Sequence, residues 1–415
     1  MKLGEIMEDI KIEKLDHQGR GIARMNDKPM FIPNALPDEV VKVNIIEEKK
    51  KYRIGEVEEI LLSSDKRVKP ICPYFEVCGG CDLMHLRYED QIQYKQEKII
   101  EIMKKFAHLE AEIVKPIIFS ENSLYYRNKV TFQVDNCVGF YGKKSYNLTP
   151  IAHCYIATPK INAVLKEIQK LPLEQIEKVI VKTDERIKEV MVILEVKGIL
   201  EEQKIISVLK DVATSIILKN GHKEKTIYGV DFICFPIGEY QFEVSPSSFF
   251  QVNLEQCEKL YQKVVDSAGI TKEDVVLDLY CGTGTIGIYV SKFAKQVYGV
   301  EINPDAVKNA NKNKERNHIE NIEFQCGDCG KVVKGLKLKP DIIIVDPPRK
   351  GLDKDTVEKL LMWNTRTIVY VSCDPITLAR DLKLLQEKYD VKMITPVDMF
   401  PNTYHVECVC LLNLR

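Results

Sequence analysis

The sequence predicts a multidomain α/β protein, with an N-terminal β-barrel over 1–61, a central α+β domain over 62–249 and a C-terminal doubly wound domain over 250–415. Three observations predict it. A chain of 415 residues is longer than one hydrophobic core comfortably holds. Its N-terminal stretch alternates apolar and polar positions in short runs broken by turn residues. Its C-terminal stretch instead carries continuous apolar strands alternating with glycine turns and helices.

The runs IKIEKL, GIARM, PMFIP, VVKVNII and IGEVEEIL, separated by Gly, Pro, Asn and Asp, are expected to form five strands of a small barrel of the OB type. Such barrels often grip single-stranded nucleic acid, but the fold alone assigns no function. Cys72, Cys78 and Cys81 follow in a loop rich in Pro and Gly, and a helix is expected at about 88–118, packing on the C-terminal domain. YRNKVTFQV, VGFYG, KVIVKT and EVMVILEV then place β-branched residues at near-alternate positions, as strands do. In the last domain VVLDLY, QVYGVEI, DIIIVD and TIVYVS read as buried parallel strands, with helices in GTGTIGIYVSKF and PDAVKNANKNKERN.

Composition narrows the function classes. With 45% hydrophobic and 29% charged residues the chain is expected to be soluble. No apolar run approaches the ~20 residues that span a bilayer. The N-terminus MKLGEIMEDIKIEK has acids where a signal peptide carries bases and then an apolar stretch, so a cytoplasmic protein without membrane attachment is expected. A formal net charge of -1 argues against a uniformly basic nucleic-acid binder. Any such surface must be local, and Lys49, Lys50, Lys51 and Arg53 are one candidate, although such a run is more commonly just a solvated face. Thirteen cysteines in a chain of this kind point to reduced thiols, metal binding or catalysis rather than disulfides.

The segment from Asp278 through Gly282 and Gly284 to Gly287 follows a strand and opens a helix, so its backbone can approach a ligand closely. Glu301 ends the next strand, about 20 residues on, where an acid accepts hydrogen bonds from ribose hydroxyls. That spacing suits a dinucleotide as well as S-adenosylmethionine (SAM). Asp346-Pro347-Pro348-Arg349 decides for SAM: it ends a later strand at the ligand-binding edge, where a dehydrogenase has no use for it and base-modifying methyltransferases carry Asp or Asn with Pro-Pro.

Cys373, in VSCDP directly after TIVYV, is expected at the same edge. A lone cysteine is usually a small buried hydrophobe, and its position is what distinguishes this one. Uracil C5 needs activation before it accepts a methyl group. A thiolate adding to C6 concentrates negative charge on C5, and a base must later remove the C5 proton so that elimination frees the thiol. Glu407 in FPNTYHVECVCLL is the candidate base, with His405 as its rival two residues away on the same strand face.

Cys72, Cys78 and Cys81, with Cys154 in IAHC as a fourth, suit either structural zinc or an iron-sulfur cluster. The spacing does not choose between them. It does differ from the C-x3-C-x2-C pattern of radical SAM enzymes.

In this order, DLYCGTG, DPPRKGL, VSCDP and HVECV closely resemble the RNA 5-methyluridine methyltransferase family, of the 23S rRNA uracil-5-methyltransferase type. The likeness spans nearly the whole chain. It implies a TRAM domain for the barrel and a Rossmann-like methyltransferase domain at the C-terminus. It further implies Cys373 as nucleophile, Glu407 as base, and SAM contacts from Gln251, Tyr280, Glu301 and Asp346, with Arg127 near the RNA. It tips the four cysteines Cys72, Cys78, Cys81 and Cys154 towards a 4Fe-4S cluster with a folding or RNA-positioning role. The implied target is a uridine of 23S rRNA, with the tRNA T-loop uridine as alternative, extruded into the crevice by an enzyme expected to act as a monomer. A nucleotide-dependent iron-sulfur oxidoreductase and a catalytically silent RNA-binding factor are the competing readings. The first predicts NAD binding and indifference to the loss of Cys373, and the second predicts RNA binding with no activity to lose.

Overall fold

The computed structural model describes residues 8–143, 145–198, 200–335 and 339–415. The first seven residues, part of the acidic N-terminus and of the expected 1–61 barrel, lie outside the described residues. The chain forms two compact units. The first runs to Lys98 and includes Phe140–Thr149 and Phe400–His405; the second comprises Ile99–Gly139, Pro150–Met399 and Val406–Arg415. Among the described residues no helix is long and apolar enough to cross a membrane.

The first unit opens with six strands rather than five: β1 (Glu8–Lys11), β2 (Lys14–Leu15), β3 (Gly21–Met25), β4 (Lys28–Ile32), β5 (Val40–Glu48) and β6 (Arg53–Leu62), in the sheet order β1-β5-β6-β4-β3-β2. The run IKIEKL divides because the chain changes neighbours within it: β1 pairs with β5 and β2 with β3. Ile10, Ile12, Ala23, Met25, Met30, Ile32, Val41 and Val43 fill the barrel core, as the alternating pattern requires. Gly55 lets β5 and β6 approach, since a side chain there would stand 2.3 Å from the Val43 Cγ1 atom. Below the barrel, buried Glu39 accepts from Leu36 N at 2.8 Å and from the Arg67 guanidinium, which ties the next segment to it.

The helix expected at about 88–118 ends earlier. After α1 (Tyr88–Ile102) comes one π-helical segment, Met103–Ala107, closed by His108 at φ 57°. Val114 and Ile118 then bridge Ile394 and Val397 in parallel. The β-branched residues around Pro116 favour that extended path over a longer helix.

The central sheet contains β7 (Lys129–Val134), β8 (Val138–Tyr141), β9 (Leu148–Pro150), β10 (Ile176–Thr183), β11 (Val190–Val196), β12 (Ser215–Asn220) and β13 (Lys223–Tyr228), ordered β13-β12-β11-β10-β7-β8-β9. Helices α2 (Pro159–Ile168) and α3 (Glu202–Leu209) accompany it, and β14 (Ile233–Ile237) and β15 (Tyr240–Val244) form a separate hairpin.

The remaining chain alternates α4 (Leu254–Ala268), β16 (Val275–Leu279), α5 (Thr285–Ser291), β17 (Gln296–Glu301), α6 (Pro304–Arg316), β18 (Ile322–Cys326), α7 (Cys329–Gly335), β19 (Ile342–Val345), α8 (Lys354–Trp363), β20 (Thr367–Ser372) and α9 (Pro375–Leu385), ending with β21 (Tyr389–Val397) and β22 (Glu407–Leu414). The sheet order is β18-β17-β16-β19-β20-β22-β21, with β16 to β20 parallel and β22 inserted antiparallel between β20 and β21. Strand order reverses between β16 and β19, and a doubly wound sheet binds its ligands at the carboxyl ends flanking such a reversal.

Candidate active site

Three strands deliver carboxylates to this edge. Asp278 of β16 is fully buried, and burial together with Asp346 and Glu301 pushes its carboxyl well up, offset in part by the Gly287 N–H. Asp346 follows β19, with its carboxyl pushed up to about 7 by burial. Glu301 closes β17, and its two oxygens accept from Gly282 N at 3.1 Å and Asn303 N at 2.9 Å, each retaining a lone pair for a further donor. Carboxyls concentrated in this way suit a positively charged ligand that also offers hydroxyls.

The turn after β16 passes through left-handed conformations at Tyr280 (φ 62°), Gly282 (φ 54°) and Gly284 (φ 79°). For a tyrosine this costs on the order of 1 kcal/mol. The Tyr280 hydroxyl is anchored at the start of α8, 3.1 Å from Asp353 Oδ2 and 3.0 Å from Thr356 Oγ1. A side chain built at Gly282 would meet no atom within 4 Å, so the space above this backbone is open to a ligand.

Gln251 precedes α4, whose N-cap is Asn253. Phe250 beside it is buried and stacked on Phe235 at 4.9 Å. Burial chiefly raises Cys257 and Tyr261, and Asp346 adds to both, so the first turns of α4 after Gln251 share the field of that carboxylate.

The expected nucleophile and base, Cys373 and Glu407, lie just past the end of β20 and at the start of β22. The antiparallel register of these strands runs from Thr367 opposite Asn413 to Ser372 opposite Cys408. Continued by one residue, it sets Cys373 opposite Glu407, and opposed residues in an antiparallel pair point to the same side. The electrostatics agree. The Cys373 thiol is pushed up to about 12 by burial, then by Glu407 and Asp346, while Arg349 opposes the rise. Glu407 is pushed up to about 8 by burial and Asp346, and Arg349 again opposes. Cys373 also immediately precedes Asp374, the N-cap of α9, and a helix N-terminus favours a thiolate.

Arg349 is a candidate functional residue that the sequence reasoning left without a role, although the DPPR motif contained it. Its exposed side chain is a cation that opposes the rise of both Cys373 and Glu407. The loop carrying it is clamped by α9: Thr377 Oγ1 donates to Arg349 O at 3.1 Å, and Arg380 Nη2 donates to Lys350 O at 3.0 Å and Leu352 O at 3.2 Å. Asp381 accepts from Leu352 N and from the Tyr370 hydroxyl, both at 2.8 Å.

His405 is not on the strand face expected for a rival base. β22 starts at Glu407, and the His405 ring packs 4.2 Å from Tyr404 and 5.9 Å from Phe400 in the first unit. Arg127 lies two residues before the central sheet's β7, with its Nε donating to Lys129 O at 3.1 Å.

Of the cluster candidates, Cys72, Cys78 and Cys81 share one loop of the first unit, and Cys154 belongs to the second. Gly80 N points at Cys78 Sγ at 3.4 Å, burial raises the Cys72 thiol, and Lys143 lies over the Phe75 ring at 4.1 Å within reach of Cys78 and Cys81. Cys154 N donates to Asn162 Oδ1 at 2.7 Å. Among the described residues no group of three or more His, Cys, Asp or Glu side chains is arranged to hold a metal ion.

Comparison with known proteins identifies the family. The family described as tRNA (uracil-5-)-methyltransferase matches residues 87–328 and 330–415, and the TRAM domain matches residues 3–57. An uncharacterized RNA methyltransferase of Oceanobacillus iheyensis is 38% identical over 98% of this chain and 96% of its own. One from Staphylococcus aureus strain COL is 37% identical over 98% of each. Among solved structures, the Pyrococcus abyssi tRNA (uracil-54, C5)-methyltransferase in complex with S-adenosyl-L-homocysteine superposes with a TM-score of 0.80 at 27% identity, covering 98% of this chain and all of that one. The chain belongs to the tRNA (uracil-5-)-methyltransferase family of RNA methyltransferases.

Proposed function

We propose that the protein transfers a methyl group from SAM to C5 of a uridine in RNA, with Cys373 as nucleophile and Glu407 as base. The observation that carries this reading is that Cys373 and Glu407 adjoin the last register pair of β20 and β22 and both feel the charges of Asp346 and Arg349. SAM supplies an electrophilic methyl on a sulfonium, a cation suited to the carboxyls at this edge. Gln251, Tyr280, Glu301 and Asp346 are the residues assigned to hold it.

The Cys373 thiol gives up its proton to solvent and its sulfur bonds to C6 as the C5–C6 π pair moves to C5; C5 then bonds to the methyl as the methyl–sulfur bond breaks and S-adenosylhomocysteine leaves. Glu407 then accepts the C5 proton, the double bond re-forms, and the C6–S bond breaks to return the thiolate. Arg349 favours the anionic forms of both groups, and Asp346 opposes them. The proton-accepting form of Glu407 therefore depends on the charges around it.

The RNA is assigned as 23S rRNA from the sequence resemblance. The tRNA T-loop uridine is the second reading, favoured by the likeness to the Pyrococcus abyssi enzyme, which acts on tRNA uracil 54. Domain boundaries at 1–61, 62–249 and 250–415, a monomeric state and a cytoplasmic location complete the proposal. A 4Fe-4S cluster on Cys72, Cys78, Cys81 and Cys154 belongs to it through the four-thiol donor set alone, and no step of the polar methyl transfer passes through it.

The test incubates the protein with methyl-labelled SAM and unmodified total RNA, separates rRNA from tRNA and identifies the labelled nucleoside. Label in 5-methyluridine of 23S rRNA supports the whole reading. The same label in tRNA keeps the chemistry and changes the substrate, and label only in another nucleoside overturns the role of Cys373.

A further inference from the structure

A group of aromatic side chains lies in the second unit, on the chain leading into β7. Tyr125 is 37% exposed, its ring centroid is 5.8 Å from that of His153, and its hydroxyl is 3.2 Å from His153 Nε2. The His153 and Tyr155 centroids are 4.7 Å apart, and those of Tyr125 and Tyr155 are 6.4 Å apart. Tyr125 has φ +56°, a left-handed conformation that glycine would adopt without strain. A bulky ring is thus displayed at a position where the backbone favours none.

Two further features point to what the rings receive. The group is tied to the candidate active site through a short hydrogen-bonded path. Tyr125 N and Arg127 N donate to Tyr155 O and Ile156 O, and Asn128 donates through N to Val252 O at 2.9 Å and through Nδ2 to Gln251 O at 3.0 Å. The segment bearing Tyr125 and Arg127 is therefore bonded to the segment bearing Gln251. The same stretch also carries Arg127, a cation with no carboxylate partner among the described residues. Lys129 and Lys182 face each other in the register of β7 and β10, and Arg127 lies two residues before Lys129. Among the described residues none of the three forms an ion pair with a carboxylate: Arg127 donates to Lys129 O, and Lys182 donates to the carbonyls of Ser245 and Ser248. Burial and Arg127 hold Lys129 down, and burial and Lys129 hold Lys182 at about 7. A phosphate is the anion that an RNA ligand would bring to such a place.

We propose that Tyr125, His153 and Tyr155, with Arg127, form a stacking site for an unpaired nucleotide of the RNA substrate other than the uridine that reacts. The rings take the base face, and Arg127 takes the adjoining phosphate. Aromatic faces accept any base, whereas the edges that carry sequence information are already paired in a duplex, so the site selects single-stranded RNA. This inference rests on RNA being the substrate of the neighbouring site.

The test uses the full chain and measures fluorescence anisotropy with a labelled single-stranded oligouridylate and with the same strand annealed to oligoadenylate. Tyr125→Gly removes the ring and relieves the backbone, so its Tm is expected at or above that of the parent. Its affinity for the single strand should nonetheless fall ~5- to 150-fold, the range for loss of one stacked base, with the duplex affinity unchanged. Tyr125→Phe should bind like the parent. Single-strand binding by Tyr125→Gly equal to the parent's overturns the proposal. So does an equal loss for both RNAs together with a lower Tm, or a parent that fails to bind the single strand. Labelled SAM separates the two readings. Formation of 5-methyluridine with an RNA KM unmoved by Tyr125→Gly removes the stacking site alone, whereas selective loss of single-strand binding in a protein that makes no 5-methyluridine removes the reaction alone.

Discussion

Cys373 and Glu407 adjoin the last pair, Ser372 opposite Cys408, of the antiparallel register of β20 and β22. On the proposed mechanism, a nucleophile and a base that act on adjacent carbons of one ring are thereby delivered by two neighbouring strands. Strand ends held in a seven-stranded sheet are more rigid supports than loops.

Cys373→Ser should lower methyl transfer by at least ~10⁴-fold, since a hydroxyl does not replace a thiolate and loss of a nucleophile removes the whole covalent route. SAM affinity should be unchanged. Single-turnover transfer to RNA beside a titration of SAM binding checks both, and near-parental transfer would refute the covalent route.

Glu407→Gln should allow addition and methylation but block elimination, leaving a methylated protein–RNA adduct that survives denaturing electrophoresis. Turnover should fall ~10²- to 10⁴-fold, the usual worth of a positioned general base. Absence of the adduct under single-turnover conditions would move the base role to another residue.

In the RNA-free protein Glu407 is raised from its ordinary 4.5 to about 8, so folding takes up a proton between those values and stability falls as pH rises through that window. Asp346, raised from 3.8 to about 7, acts in the same sense. Thermal melts of the parent should therefore lose Tm from pH 5 to pH 8, and Glu407→Gln, which cannot ionise, should show a shallower slope. Turnover has the opposite dependence, because the carboxylate form accepts the proton and becomes more populated as pH rises through about 8. Identical stability slopes for parent and variant would count against the buried carboxyl.

Arg349→Ala removes the cation that opposes the rise of both Cys373 and Glu407. The alkaline-going limb of the pH–rate profile should move to higher pH by about one unit, the scale of a nearby opposite charge at a partly exposed site. Arg349→Lys should restore part of the shift. A uniform loss at every pH would instead indicate a contact with RNA.

Protein purified without oxygen should be brown and carry several irons per chain if Cys72, Cys78, Cys81 and Cys154 hold a 4Fe-4S cluster. Cys78→Ser should lower the iron content. A colourless product containing zinc would assign those thiols to the other metal that suits them.

Much of the site could be read before any tertiary contact was known, because its parts are local. A glycine turn after an apolar strand, Asp346 at a strand end and Cys373 one residue past another are set by short patterns that decide where the backbone is extended and where it bends. The sequence by itself determined the fold class, the parallel strands and the residues of the carboxyl edge. It did not determine that IKIEKL divides between two neighbours, that the helix from Tyr88 stops at Ala107, or that His405 leaves the strand before Glu407. Those outcomes depend on which distant segments pair, and local periodicity carries no information about strand partners. Only the tertiary structure decided that β22 lies between β20 and β21 in the register that brings Glu407 to the end of β20 that precedes Cys373. The proton affinities followed from the same packing, since burial and the charges of Asp346 and Arg349 set them, and residue type supplied only the starting values.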